Sequence, residues 1–429
     1  MEEILRKLIC DKKVLILGFG REGKSTLREI LDIGGHKSIT IADQKPVSDE
    51  LGRGIDTVTG EGYLDILDDY DVVFKSPGVV LKKPAEDYKA LVTSEMDVFL
   101  EAYGDKAIGI TGTKGKSTTS SLIAHVLKTA GKNVLFAGNI GIPVFDIRKQ
   151  VREDSIIVLE MSCHQLEFLR YAPKTAVLLN IYEDHLDHYG TREKYAAAKM
   201  NIYRKQDEKG ILYTLPEFKP SAGDYKGTLK LVTVSDAPFE DFDSVKGAAL
   251  KGEHNRLNCA FAFLVTKEYG VDKDTFIRAV GSFEGLPHRL QFIGNLDGVD
   301  YYDDSISTTV RSAISAVESI KNAEVLLLGG MERNLEYGEL MDYLVTSKLK
   351  SLIFMYASGH RMYEMYTQKE KGENAPKAYL VSDLKEAVKC AKNAANKGSA
   401  VILSPAAASY DSFRNFEERG NAYKTLVFS

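Results

Sequence analysis

Two short stretches carry phosphate-binding chemistry in their spacing. In LILGFGREGKSTLREI, residues 15–30, Gly18, Gly20 and Gly23 form a G-x-G-x-x-G turn between an apolar run and a helical pattern. Asp43 ends the strand-like run SITIAD about 20 residues after Gly23, the spacing at which a carboxylate meets a ribose in dinucleotide domains. Read from Gly20, the same stretch is G-x-x-G-K-S-T. Three readings stay open: a nicotinamide dinucleotide, another phosphate ligand cradled at the helix N-terminus, or glycines needed only for a tight turn.

The second stretch, GTKGKST at residues 112–118, is two residues shorter than the usual G-x-x-x-x-G-K-[ST] loop. Backbone N–H groups from Gly112, Thr113, Lys114 and Gly115 can form an anion nest, and Lys116 can reach β- and γ-phosphates. The hydroxyl of Ser117 or Thr118 can ligate Mg²⁺. Such a site needs a carboxylate on a neighbouring strand end, and Glu160 closes the run SIIVLE, with Ser162 and Gln165 just beyond. The next strand-like run ends in NIYEDHLDHYG, where Asp184, His185, Asp187 and His188 cluster beside Asn180. A solvated connection and a zinc site through His185 and His188 are both readings of that loop. Oxygen ligands without a paired cysteine favour magnesium and phosphate chemistry. Lys199 follows in a helical pattern between Ala and Met, a setting that disfavours the charged form of an amine.

Elements of a particular kind must carry these residues. Near-continuous apolar runs such as KVLILG, AIGITG, TAVLLNI, EVLLLGG, SLIFMYAS and AVILSPA read as parallel strands buried on both faces. Stretches 25–34, 117–130 and 383–397 read as crossover helices, so the fold class is α/β. Residues from about 211 to 250 read as a less regular edge or a small antiparallel region. With 429 residues the chain exceeds one ordinary core. Breaks at 94–101 and 284–292 predict three domains, 1–96, 97–285 and 286–429. A net charge of −5, from 56 basic and 61 acidic residues, gives no footprint for nucleic acid or an anionic membrane. Four scattered cysteines without a C-x-x-C pair fit a reducing cytosol. The N-terminus MEEILRKLIC lacks the basic start of a signal peptide, and no run approaches a membrane span, so a cytoplasmic protein is expected.

Taken together, GITGTKGKST, GNIG, LEMSCHQLE, the NIYEDHLDHYG…KYAAAK block, HNRLN, LPHR and LSPAAASYDSFRNFEERG resemble the Mur ligases, most of all their D-glutamate-adding branch. The resemblance implies an N-terminal Rossmann-like domain, a central P-loop ATPase-like domain with a mostly parallel sheet, and a C-terminal Rossmann-like domain. It implies a monomer that uses ATP to join D-glutamate to UDP-N-acetylmuramoyl-L-alanine through an acyl phosphate, in peptidoglycan precursor synthesis. Another Mur-type or folylpolyglutamate-synthase-like amino-acid ligase is the alternative. By resemblance, Lys116 binds the β- and γ-phosphates, Ser117 and Glu160 hold one Mg²⁺, and His185 with a carbamylated Lys199 supports a second. Asn255, Asn258, Arg289 and Asp304 match ATP contacts. Gly18, Arg21, Glu22, Asp43, Gln44, Lys45, Gly78, Asn139 and Ser162 match UDP-substrate contacts. Thr308, Arg333, Ser409 and the Phe416 backbone match D-glutamate contacts. Three positions depart from the family pattern: Cys163-His164 stands where Ser-Phe is common, Ile306 where many relatives have Lys, and Met331-Glu332 precedes Arg333.

Overall fold

Short apolar runs bounded by glycine and polar residues become strands buried on both faces, because helices cover each side of the sheets they form. The computed structural model describes residues 1–429 apart from 48–50, 53, 140–141, 183–185, 222, 251 and 334; at 186 and 187 only the backbone is described. Among the described residues there are three sheets in two compact units, Met1–Phe283 and Glu284–Ser429.

The first unit holds two sheets. Strands β1 (Lys13–Leu17), β2 (Ser38–Asp43), β3 (Ile55–Thr59), β4 (Val72–Lys75) and β5 (Leu91–Thr93) pair in parallel in the order β3-β2-β1-β4-β5. The order reverses between β1 and β4, and the crevice beyond their carboxyl ends is where such sheets bind ligands. Strands β6 (Ala107–Thr111), β7 (Val134–Gly138), β8 (Ile156–Glu160), β9 (Thr175–Leu178), β10 (Ile211–Thr214) and β11 (Thr228–Leu231) form a second parallel sheet, β11-β10-β9-β6-β8-β7. Over 211–250 the antiparallel alternative is corrected, since β10 and β11 extend the sheet in parallel to its edge, while residues 232–250 hold only the short 3₁₀ turn Val234–Asp236 and match the less regular edge. The edge strand β11 is mostly exposed and reads TLKL, so it lacks the apolar run that marks a buried strand.

The polar break at 94–101 is a helix, Glu95–Tyr103, with Met96, Val98, Phe99 and Leu100 buried in a core that runs continuously from Leu5 to Leu212. Its acids are buried with partners. Asp97 accepts bonds from the Arg170 backbone N–H at 2.7 Å and Nε at 2.8 Å, and Glu95 accepts from the Phe145 N–H at 2.7 Å.

The second unit contains β12 (Gln291–Leu296), β13 (Val299–Asp303), β14 (Ala323–Leu328), β15 (Ser351–Met355), β16 (Lys377–Val381) and β17 (Ala400–Leu403), in the order β12-β13-β17-β14-β15-β16. All pairs are parallel except the β12–β13 hairpin. The run SLIFMYAS stops being a strand at Met355, because Tyr356 takes a left-handed φ of 61° and opens the helix Tyr356–Gln368.

One close approach in the first sheet makes a direct test. A Cβ on Gly23 would lie 2.1 Å from the Gly18 carbonyl oxygen, so the helix Arg21–Ile33 seats on its loop only with glycine there. Gly23→Ala is expected to destabilise the chain by about 1–3 kcal/mol, the usual cost of overpacking. A urea unfolding midpoint equal to wild type would contradict this.

Candidate active site

The loop after β1 builds the first centre. Gly18 has φ 87°, and a Cβ there would sit 2.8 Å from the Ser76 Cβ, so both conformation and packing demand glycine. Gly20 differs. Its φ is −74° and a Cβ would meet nothing within 4 Å, yet it lines a cavity of about 380 Å³. No protein atom requires glycine at 20; a ligand approaching the backbone would. The cavity brings together Gly18, Arg21, Glu22, Asp43, Gln44 and Gly78, as expected, and adds Tyr63, Ser76, Pro77 and Val79 from segments whose sequence carried no motif. Asp43 accepts from the Phe19 N–H at 2.6 Å and the Lys45 N–H at 2.8 Å, so it also shapes the loop. Lys45 joins through its backbone only, while Asn139 and Ser162 lie at the second sheet. Lys24, the lysine of the alternative G-x-x-G-K-S-T register, is exposed, with its ammonium 5.8 Å from the Phe19 ring centre.

Glu22 is an acid in an anion-sized pocket. Burial pushes its carboxyl up to about 7, against the hydrogen bond from Gln165 Nε2 at 2.6 Å and the charge of Lys75. Its second oxygen is buried without a partner. Burial in turn brings the Lys75 ammonium down to about 8, opposed by Glu167 at 3.9 Å and by Glu22. A neutral Glu22 does not repel a diphosphate.

The loop after β6 forms the second centre. Asn180, at the end of β9, clamps it: its side-chain oxygen accepts from Thr113 N–H at 3.0 Å and Lys114 N–H at 2.8 Å, and its Nδ2 donates to the Lys114 carbonyl at 3.0 Å. Tyr195 fixes the Thr113 hydroxyl at 3.0 Å. The ammonium of Lys116 donates to the Gly112 carbonyl at 2.9 Å, and that of Lys199, only 1% exposed, donates to the same oxygen at 2.8 Å. Gly115, with φ 84°, passes so close to Asn258 that a Cβ would lie 2.7 Å from its side-chain oxygen. Asn258 in turn donates to Asn255 at 3.1 Å, so the helix Glu253–Lys267 touches the loop as expected.

Glu160 pairs in register with Ile110 of β6, beside this loop. One of its oxygens accepts from Asn139 Nδ2 at 2.7 Å; the other is buried with no partner. Leaving such an oxygen unsatisfied costs roughly 1–3 kcal/mol, and a divalent cation would satisfy it. With the buried Ser117 on the adjoining helix, the donor set is all oxygen and fits Mg²⁺. His185 lies outside the described residues. Ser162 caps the helix Cys163–Leu166 reciprocally with Gln165, linking this strand end to Glu22. His164 packs edge-on to His188 at 4.4 Å and stacks near Tyr189.

In the second unit the remaining residues collect beyond the carboxyl ends of the adjacent strands β13, β17 and β14. Asp304 is buried, accepting from the Leu290 N–H at 3.0 Å and the Ser404 hydroxyl at 2.7 Å, and burial raises its carboxyl to about 6. Arg289 is sequence neighbour to Leu290 and acts on Asp304 by charge. Met331 bridges to Ala408, which brings Arg333 over the Tyr410 ring at 5.4 Å, one residue beyond the buried Ser409. Glu332 forms a two-pronged pair with Arg361 at 2.9 and 3.0 Å, so this departure is an internal contact. Ile306 holds the His288 carbonyl through its N–H at 3.1 Å. The Phe416 carbonyl accepts from the Ser305 hydroxyl at 2.8 Å, and Thr308 is half-buried three residues on from Ser305.

Comparison with known proteins matches residues 110–219 to the Mur ligase middle domain and 288–407 to the Mur ligase, glutamate ligase domain. A UDP-N-acetylmuramoylalanine--D-glutamate ligase of Clostridium botulinum is 33% identical over 99% of this chain and 98% of its own. The chain belongs to this ligase family. A relative of the same name from Clostridium kluyveri is 30% identical over 98% of both chains. Among solved structures, the MurF ligase of Thermotoga maritima in complex with ADP aligns over 98% of this chain and 96% of that one, with TM-score 0.54 and 19% identity. MurC of the same organism covers 96% and 99%, with TM-score 0.55 and 18% identity. At those identities the likeness is one of fold, and it agrees with the α/β class expected for a Mur ligase. No helix among the described residues is long and apolar enough to cross a membrane.

The raised Glu22 carboxyl has a measurable consequence. Between its ordinary value and about 7 the folded chain holds a proton that the unfolded chain has released, so this group's contribution to stability is lost as pH rises through 7. Glu22→Gln is expected to be more stable than wild type at pH 8 and to flatten the fall in stability between pH 5 and 7, read from thermal midpoints across that range. An unchanged slope would remove the proton from Glu22.

Proposed function

We propose that this chain is an ATP-dependent ligase that adds D-glutamate to UDP-N-acetylmuramoyl-L-alanine in the cytoplasm, releasing ADP and phosphate. The observation that carries the reading is the second loop, where two ammonium groups meet on the Gly112 carbonyl beside a glutamate with an unfilled buried oxygen. A carboxylate is a poor electrophile. Once its oxygen takes the γ-phosphoryl group as ADP leaves, the amine of D-glutamate attacks the acyl carbon and phosphate departs, giving the amide.

Lys116 offsets charge on the transferring phosphoryl group, and the N–H groups of residues 112–115 orient it. Ser117, Glu160, His185 and a carbamylated Lys199 would hold Mg²⁺, which supplies neutralisation of phosphate charge. Asn139 keeps Glu160 aimed through the 2.7 Å bond. Asn255, Asn258, Arg289 and Asp304 contact the nucleotide. The cavity at Gly18 takes the uridine diphosphate, with Arg21 as its cation and Lys45, Asn139 and Ser162 reaching other parts of that substrate. Thr308, Arg333, Ser409 and the Phe416 backbone receive D-glutamate. The working division is three domains, 1–96, 97–285 and 286–429, in a monomer.

Purified protein given ATP, Mg²⁺, UDP-N-acetylmuramoyl-L-alanine and D-glutamate is expected to release phosphate only when all four are present. Release that ignores omission of D-glutamate, or that prefers another amino acid, would replace this reading with the wider amino-acid ligase class. Lys116→Ala should lower kcat by about 100-fold or more, as loss of transition-state charge stabilisation does, while Lys24→Ala stays near wild type. Gly20→Ser preserves a good helix cap but intrudes on the cavity. Its stability is expected within about 0.5 kcal/mol of wild type, with KM for the UDP substrate raised about tenfold; a lowered stability with unchanged KM would refute the cavity assignment.

A further inference from the structure

Arg419 is fully buried on the helix Phe416–Phe428, and nothing in the proposed reaction uses it. Every hydrogen bond of its guanidinium ends on a neutral oxygen: the Ser305 hydroxyl at 2.9 Å, the Ser305 carbonyl at 2.7 Å, the Ala407 carbonyl at 3.0 Å and the Ala408 carbonyl at 3.3 Å. The Ser305 hydroxyl passes its own proton to the Phe416 carbonyl at 2.8 Å. A Cβ on Gly330 would lie 2.9 Å from the same guanidinium, so the end of β14 presses on it as well.

Four chain segments thus meet on one side chain, and each bears a candidate contact to the amino acid: Thr308 beyond Ser305, Arg333 beyond Gly330, Ser409 after Ala408, and Phe416 one turn before Arg419. A trans peptide points its C=O and the following N–H to opposite sides. Turning the Ala407 and Ala408 carbonyls inward to the guanidinium therefore turns the N–H groups of Ala408 and Ser409 outward. The same rule is visible at Ser305, whose carbonyl faces Arg419 while the Ile306 N–H reaches the His288 carbonyl on the other side at 3.1 Å. A forked cation is suited to this task, since a lysine has the charge without the fixed spread of donors.

We propose that Arg419, with Ser305 as its relay, is the positioning residue of the amino-acid site: it sets the backbone N–H groups and side chains that receive the substrate carboxylates without touching the substrate itself. This rests on the amino-acid site assigned under the proposed function. In the full-length enzyme, Arg419→Lys is expected to raise KM for D-glutamate about tenfold and Ser305→Ala about threefold, with KM for ATP and for the UDP substrate within about twofold of wild type, the effect of misplaced hydrogen bonds at one subsite. Hydrogen exchange should quicken at residues 407–410 in both variants. An unchanged KM for D-glutamate, or a common shift in all three KM values, overturns the proposal. If Arg419→Lys does not fold, Ser305→Ala decides by the same criteria. Wild-type turnover with a different amino acid refutes D-glutamate as substrate and transfers the same comparison to that acid's KM, whereas a wild type inactive with every amino acid overturns both.

Discussion

Two ammonium groups share one carbonyl oxygen at the second loop, and much of the first unit exists to hold them there. The nitrogens of Lys116 and Lys199 can be no farther apart than the sum of their 2.9 and 2.8 Å bonds to Gly112. The loop is held by a rigid frame: Asn180 on two N–H groups, Tyr195 on Thr113 and beneath Lys199 with 4.7 Å from ammonium to ring centre, and Asn258 against Gly115. Such a frame keeps its donors in place, so an anion would meet them without reorganisation.

The first loop has nearly the same letters and a different physics. Its lysine sits outside, its helix begins at an open glycine, and its nearest buried titratable groups are Glu22 and Lys75, drawn by burial toward neutrality from opposite sides. That pocket therefore offers backbone donors, shape and the exposed Arg21 to a ligand, while the other brings two lysine ammonium groups to one carbonyl. Gln165 spans the two centres, bonded to Glu22 and locked to Ser162 two residues beyond Glu160. Glu22, Gln165 and Ser162 thus form a hydrogen-bonded line that ends two residues beyond Glu160.

Most of the α/β architecture was legible because buried strands are written as unbroken apolar runs, and both loops because their glycines have local reasons. The β11 edge was not, since an exposed strand carries no apolar signal, and neither was the helix Glu95–Tyr103, because Glu95 and Asp97 are acids whose partners, Phe145 and Arg170, lie about 50 and 70 residues away. The same distance in sequence hid Asn180 as a clamp, Tyr63 and Ser76 as cavity walls, and Arg419 as a hub. Side chains that bond to backbone across a fold leave no spacing to read. The two glycine loops do, because such a loop must be contiguous.

All three sheets place their candidate residues beyond the carboxyl ends of central strands, but they enforce that placement by different means. In the first two, the turn itself is enough: a left-handed glycine follows β1 and β6, and the helix behind it supplies donors. In the second unit Gly329, with φ 113°, follows β14, but the next helix begins only at Gly338. Its site is assembled from the ends of β13, β17 and β14 and the start of the last helix, segments spread over more than 100 residues of sequence, so local sequence cannot fix their relative geometry. A buried guanidinium can, since neutral oxygens from several segments must face it to offset the cost of removing its charge from water. Burial brings the Arg419 guanidinium down toward about 10, opposed by the nearby Asp303 carboxylate, while its hydrogen bonds among the described residues end on neutral oxygens of those segments.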